Sequence, residues 1–242
     1  MKVYLINLDS SIDRLNAATA QLNSLGVDFE RVSAVNGKNL TPNEKKAAVN
    51  KFRWDCAVGR EVWDGEIGCA LSHRHIREQI IRDNVPVSCV LEDDVVLSKD
   101  FPKVLDYLEK SLDPNKSMVV LLSNHEKGCV RGIKNKGIGM LKTQADMFAE
   151  GYVQTLAAAR QLNNVNFPLV TPCDWWGRWV KRGIIELYHS VPTVCSQNRT
   201  DFAGLTGSTD FVPIKERNLI GRVVHILRRL FGKIIDWLLE VV

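Results

Sequence analysis

Apolar positions recur along this chain with two periods, and their order predicts strands and helices in alternation. Residues Lys2 to Leu8 form a β-branched and apolar run that stops at Asn-Leu-Asp, the pattern of a buried strand whose carboxyl end meets solvent. A helix is expected next. Asp9, Ser10 or Ser11 can cap it, Ile12, Leu15, Ala18, Leu22 and Leu25 keep helical spacing, and Gly26 closes it. Phe29 to Val35 reads as a second strand before an Asn36-Gly37 turn, so the opening is a β-α-β unit. Glu66 to Asn84 is predicted helical from the recurrence of Ile67, Ala70, Leu71, Ile76, Ile80 and Ile81. Val87 to Leu91 is a short buried strand ended by Glu92-Asp93-Asp94. Asp100 to Leu112 is a helix with Pro102 in its first turn, and Ser117 to Leu122 is another buried strand. Tyr152 to Leu162 reads as strand into helix and Ile184 to Val194 as strand. Residues 40–65 lack clear periodicity beyond a lysine-rich polar helix after Thr41-Pro42, and are expected to be an irregular insertion. Gly128 to Gly139 is expected to be a glycine-punctuated loop. Strands alternating with helices imply an α/β fold with a mainly parallel sheet.

The pattern changes near the end of the chain. From Ile220 to Val242 the positions Ile220, Val223, Val224, Leu227, Leu230, Phe231, Ile234, Ile235, Leu238, Leu239 and Val242 make one continuous stripe at helical period, with Arg222, Arg229, Lys233 and Asp236 largely opposite. Such a basic amphipathic helix suits an anionic membrane surface, or it docks on the domain's own core. The division predicted is therefore 1–214 for the main domain and 215–242 for the C-terminal helix. Charge supports it: the net +4 of the 242 residues is concentrated in the tail, where six basic residues face three acidic ones. The remainder is close to neutral, so a nucleic-acid-coating surface is not expected. With 45% apolar and 25% charged residues, disordered and collagen-like classes are excluded. The six cysteines form no CxxC pair and the start lacks the pattern of a signal peptide, so reduced thiols in a cytoplasmic protein are expected. No stretch reaches the roughly 18 to 20 apolar residues that a membrane-spanning helix needs.

Candidate chemistry follows from where the strands end, because ligands of open α/β sheets bind outside the carboxyl ends of strands. Glu92, Asp93 and Asp94 stand at such an end, and carboxylates projecting there suit a hard cation such as Mn²⁺ or Mg²⁺ that neutralises a diphosphate. Three consecutive acids arise by chance about 0.4 times in a chain with 28 acidic residues. Their strand context, more than their number, marks them. Asn7, Asp9 and Arg14 lie at the first strand end, either as a nucleotide site or as a helix cap with an exposed arginine. His73 and His75, two apart on a predicted helix, point about 200° apart and cannot share a metal. His189 is a candidate strand-end metal ligand or a satisfied histidine. Asp174 precedes Trp175 and Trp176, an arrangement that can hold a sugar and activate a hydroxyl, or simply pack a core.

Several of these residues fall into one pattern. The segments VYLINLDSSIDR, FERVSAVNG, GEIGCALSHRHI and VLEDDVVL, followed by the looser GYVQTLAAARQL and PTVCSQNRTDF, resemble glycosyltransferase family 25. That family comprises bacterial lipopolysaccharide and lipooligosaccharide transferases related to collagen galactosyltransferases. The resemblance runs from about residue 3 to about residue 202 and fails to align over 40–65 and 125–150. It implies a GT-A-type, Rossmann-like sheet with helices on both faces. It also implies inverting transfer of a hexose, usually galactose, from a UDP-sugar, commonly with Mn²⁺. By its motifs, Asn7, Asp9 and Arg14 would bind the nucleotide, and Glu92, Asp93 and Asp94 would bind metal and diphosphate. Glu66, Ser72 and His73 would lie near the donor. Asp174 is the candidate base, since an inverting transferase needs a carboxylate near the acceptor. The expected partners are a UDP-hexose and a lipid-linked oligosaccharide acceptor, met at the inner face of the bacterial inner membrane by the C-terminal helix. A nucleotidyltransferase and a non-catalytic membrane-associated module are the alternatives, the former weakened because Asn7 to Arg14 contains no glycine.

Overall fold

The computed structural model describes residues 1–123 and 137–198, together with Leu219, Ile220, Arg222, Val223, Ile226 and Leu227. β1 (Lys2–Asn7) is buried at five of its six residues, as a strand with neighbours on both sides requires. α1 (Ile12–Ser24) follows, and Gly26 comes after it with φ of +65°, a left-handed conformation that glycine adopts without strain. Its start differs from expectation. Ser11 is the N-cap but makes no capping hydrogen bond through its side chain, and Asp9 is turned toward Arg31 and Ser33 instead. Ile12, expected to face inward, is 62% exposed, while Arg14 is buried. The helix is rotated so that a charged side chain enters the protein, for a reason given by the site below.

β2 (Glu30–Ser33) pairs parallel with β1 and completes the predicted β-α-β opening. Residues 40–65 are more regular than the sequence implied, because α2 (Pro42–Ala48) and α3 (Lys51–Ala57) occupy them. Seven-residue helices have only two turns, too few for a period to emerge. Thr41 nevertheless carries a full capping box: its hydroxyl accepts from Glu44 N and the Glu44 carboxylate accepts from Thr41 N. The chain continues through α4 (Asp64–Arg82), β3 (Val87–Glu92), β4 (Val95–Leu97), α5 (Phe101–Ser111), β5 (Met118–Leu121), β6 (Gly139–Thr143), β7 (Gly151–Thr155), α6 (Leu156–Val165), α7 (Trp176–Lys181), β8 (Glu186–Val191) and β9 (Cys195–Gln197).

Seven strands form one sheet in the order β2-β1-β3-β7-β5-β8-β6. β2, β1, β3, β5 and β8 share a direction, and β7 and β6 run against it. The expected mainly parallel α/β architecture is present. The side-chain alternation of the strands assigns the two faces. Val3, Leu5, Cys89, Leu91, Val120 and Val153 lie in one core with Ala18 and Leu22 of α1 and Phe101, Val104 and Leu108 of α5. Tyr152, one residue out of phase, meets His73 of α4 and Trp176 of α7 on the opposite face. Helices therefore cover both faces. Three short strands escaped the sequence reading, β6 and the β4–β9 ladder of three residues per strand, and so did the short helices α3 and α7.

Two compact units are distinguished. The first comprises Met1–Val35, Ser72–Val165 and Asp174–Thr206, and holds the whole sheet. The second comprises Asn36–Leu71, Asn166–Cys173 and Gly207–Val242. Within it, Val49 forms a parallel bridge with Leu169. Gly37 lies against α4 so closely that a Cβ there would stand 1.7 Å from the Asp64 carbonyl oxygen. At the predicted Asn36-Gly37 turn, which opens a 3-10 turn over Gly37–Asn39, it is this close approach and not an unusual backbone angle that requires glycine. The six described tail residues are helical, and Leu219, Ile220, Val223 and Ile226 are exposed. The rest of the predicted stripe, and the loop expected from Gly128, lie largely or wholly outside the described residues. Among the described residues no helix is long and apolar enough to cross a membrane.

Candidate active site

The parallel pairing of β1 with β3 puts their carboxyl ends side by side, and the residues that emerge there meet. Asn7 ends β1 and is buried. Its Nδ2 donates to Asp93 Oδ2 at 2.7 Å and to the Ser11 carbonyl at 3.0 Å, while its Oδ1 accepts from Arg31 Nε and Nη2 at 3.1 and 3.0 Å. Arg14 reaches in from α1 to bridge the carboxylates of Asp93 and Asp94, the latter at 3.0 Å. This ion pair explains the rotation of α1 noted above: a buried guanidinium facing two carboxylates outweighs the exposure of Ile12. Asp94 Oδ2 also accepts from Gln197 Nε2 at 2.9 Å, a contact made possible by the β4–β9 ladder.

Charge in this cluster does not balance within the pair of aspartates. One guanidinium faces two carboxylates, and burial outweighs the attraction of Arg14, pushing the Asp93 carboxyl up to about 6. Asp94 Oδ1 is buried with no hydrogen-bond partner. An orphaned anionic oxygen beside surplus negative charge is the environment that a divalent cation satisfies. Such an ion would be held by Asp94, with the partly exposed Glu92 as the candidate second ligand, whereas both oxygens of Asp93 are already engaged.

Asp9 is set apart from this cation position. Its exposed carboxylate accepts from Arg31 at 2.5 Å and Ser33 at 2.9 Å, which hold it below the usual carboxylate range. Arg31 thus ties Asp9 to Asn7. Glu66, in the second unit, is clamped by a bidentate pair with Arg60 at 2.8 and 2.7 Å and by Trp63 N at 3.0 Å. The Ser72 hydroxyl accepts from Val35 N at 2.8 Å. Both side chains are engaged in anchoring backbone.

His73 is different. It is buried, and burial aided by the nearby Arg77 charge pushes it down to about 3. Its Nε2 lies 3.2 Å from Glu92 Oε1 and its Nδ1 2.9 Å from the Tyr152 hydroxyl. A neutral ring that donates from Nε2 to the Glu92 carboxylate accepts at Nδ1 from the Tyr152 hydroxyl. The relay Tyr152–His73–Glu92 orients the carboxylate at the end of β3.

Asp174 interacts electrostatically with both His73 and Glu92, and burial pushes its carboxyl up to about 6. Its Oδ2 accepts from Phe148 N at 3.2 Å. Phe148 takes φ of +75°, rare for an aromatic residue, and its carbonyl accepts from Trp176 Nε1 at 2.8 Å. Hydrogen bonds to both its neighbours stabilise that strained residue against Asp174. Trp176 is fully buried and meets the Tyr152 ring edge-on at 5.1 Å, so it is core rather than a sugar platform. Trp175 is half-buried.

His189 is not brought to the acidic run. It lies on β8, three strand spacings from β3, on the order of 14 Å. Its Nδ1 meets the Ser123 carbonyl at 2.9 Å and its Nε2 faces Asp146 Oδ2 at 3.2 Å. It cannot share an ion with Glu92 and Asp94. Tyr152, Phe148, Arg31 and Gln197 complete the neighbourhood and were missed from sequence. Each lies in or near a segment that carries the family resemblance, yet only folding shows what each one touches.

The buried carboxylates thus stand at the end of β3 in a mainly parallel α/β sheet, and comparison with known proteins gives the family. Residues 1–176 match the model described as glycosyltransferase family 25 (LPS biosynthesis protein), and the chain belongs to that family. It is 31% identical over 180 residues to procollagen galactosyltransferase 1-A of Xenopus laevis, covering 70% of this chain and 29% of that protein. It is 27% identical over 182 residues to human procollagen galactosyltransferase 2, covering 72% and 29%. A Bos taurus protein named probable inactive glycosyltransferase 25 family member 3 is 25% identical over 171 residues, covering 66% and 28%. The chain spans less than a third of the length of these relatives.

Proposed function

We propose that this protein transfers a hexose, galactose before glucose, from a UDP-sugar to a sugar hydroxyl of a lipooligosaccharide or lipopolysaccharide core, with inversion at the anomeric carbon in a GT-A-type site. The observation that carries the reading is the orphaned Asp94 Oδ1 beside the Arg14-bridged carboxylates at the end of β3. A divalent cation such as Mn²⁺, when bound by Asp94 and Glu92, supplies charge that offsets the growing negative charge of the departing diphosphate. The chain's own residues do the rest. Asn7 and Arg14 hold Asp93 in place, and His73 and Tyr152 fix Glu92. Asp174 takes the proton of the attacking hydroxyl, for which a carboxyl pushed up to about 6 is a better base near neutral pH than an ordinary aspartate. Direct displacement needs no nucleophile from the enzyme. The family description, which names LPS biosynthesis, supports the acceptor class.

The exposed apolar residues Leu219, Ile220, Val223 and Ile226 support a tail that meets the membrane carrying a lipid-linked acceptor. Deleting residues 218–242 is expected to abolish sedimentation with anionic vesicles while leaving turnover of a soluble acceptor largely intact. Vesicle binding that survives the deletion overturns the role of the tail. For catalysis, the test is UDP release from a panel of UDP-sugars with Mn²⁺, with and without truncated lipooligosaccharide. Acceptor-stimulated turnover of one donor, lost on chelation and in Asp94→Ala, is expected. Silence with every donor favours the non-catalytic reading that the name of the bovine relative raises.

A further inference from the structure

Two thiols of the second unit have no part in the chemistry above. Cys69 lies on α4 and Cys173 ends the stretch Asn166–Cys173, 104 positions away in sequence, yet their Sγ atoms stand 3.5 Å apart. A disulfide requires about 2.05 Å between the sulfurs, so the two thiols already stand in contact and within about 1.5 Å of bonding distance. The pair is also asymmetric in access. Cys69 is half-buried and Cys173 is 9% exposed. By contrast, Cys56, Cys89 and Cys195 are buried, and burial raises the thiols of Cys89 and Cys195 far from the reactive range.

We propose that Cys69 and Cys173 are a reversible dithiol–disulfide site, with Cys69 the attacking and Cys173 the resolving thiol. With a low-molecular-weight disulfide as oxidant, the Cys69 thiolate attacks one sulfur of the oxidant, forms a mixed disulfide and expels one small thiolate. The Cys173 thiolate then attacks the Cys69 sulfur and expels the second. Two protein thiols lose two protons and two electrons, one protein disulfide forms, and the oxidant leaves as two thiols. The bond closes a long loop and pins α4 to the backbone position immediately before Asp174. Through that position, the redox state of the pair reaches the proposed base. The effect on turnover rests on the proposed function, but the existence of the bond does not.

The experiment treats the full chain with oxidised glutathione under native conditions, alkylates the remaining thiols and maps peptides by mass spectrometry. The expected result is a Cys69–Cys173 linked peptide, two fewer titratable thiols and a mass lower by two hydrogens, all reversed by dithiothreitol. C173S is expected to stop at a glutathione adduct on Cys69, and C69S to form neither adduct nor bond, whereas C56S behaves as the unaltered protein. Thiols that stay free, glutathione that persists on Cys69 of the unaltered chain, or oxidation that proceeds only after a chelator strips a bound metal would each overturn the proposal. Where turnover is measurable, the oxidised protein is expected to lose at least half of it and to recover it on reduction. Unchanged turnover in a protein shown to carry the bond would overturn the link to Asp174 alone.

Discussion

Asp93 and Asp174 are both carboxyls that burial pushes up to about 6, and they differ in what surrounds them. Asp93 has Asn7 on one oxygen and Arg14 on the other. Asp174 accepts from backbone N–H groups, forms no ion pair among the described residues and is half-buried. The same shift therefore has two meanings. In Asp93 burial raises a carboxyl whose two oxygens are already engaged by Asn7 and by the cation from α1. In Asp174 it reports a carboxylate that is poorly solvated and available to take a proton. A raised value alone does not mark a base; the partners decide.

The largest expected effect separates the two directly. Asp174→Asn keeps the shape and removes the proton acceptor, so kcat is expected to fall roughly 10²- to 10⁴-fold with little change in melting temperature. A variant that loses stability and keeps kcat would reverse the assignment. Arg14→Ala acts on the other carboxyl. It leaves two buried carboxylates without their cation, and urea unfolding is expected to show a loss of about 3–5 kcal/mol. Added Mn²⁺ should restore part of it.

The pH dependence sharpens the contrast in sign. Both carboxyls take up protons more readily folded, near 6, than unfolded, near 4. Their contribution to stability is complete below the unfolded value and is lost as pH rises through about 6. Activity runs the other way, because Asp174 must be ionised to act as base, so kcat/KM is expected to rise through about 6 with one proton lost. Asp93→Asn should flatten the stability curve and leave that rise in place. The smallest effect concerns the relay to Glu92. Tyr152→Phe removes the donor to His73 Nδ1 and is expected to cost about 1 kcal/mol in thermal or urea unfolding. A larger loss in affinity for Mn²⁺ than in stability would show that the relay serves Glu92.

Much of this site was legible before folding was considered. A strand ends where its apolar run ends, so Asn7 and Glu92-Asp93-Asp94 could be placed at carboxyl ends of strands from residue order alone, and the motif resemblance gave Arg14 and His73. The partners were not legible. That Arg14 is buried, at the expense of Ile12, depends on carboxylates about 80 positions away. That Tyr152 meets His73 depends on β7 entering the sheet between β3 and β5, against the direction of both. His189 looked like a ligand because it ends an apolar run; the strand order carries it away from the acidic residues.

The sequence by itself determined the order of the longer strands and helices, the polar strand ends and the family, because these depend on periodicity and local motifs that each segment carries whatever its neighbours do. Only the tertiary structure decided which carboxylates meet the Arg14 guanidinium, which one meets backbone N–H groups instead, and which thiols touch. Those outcomes depend on desolvation and on distances of a few ångströms between segments far apart in the chain, and no local pattern encodes them.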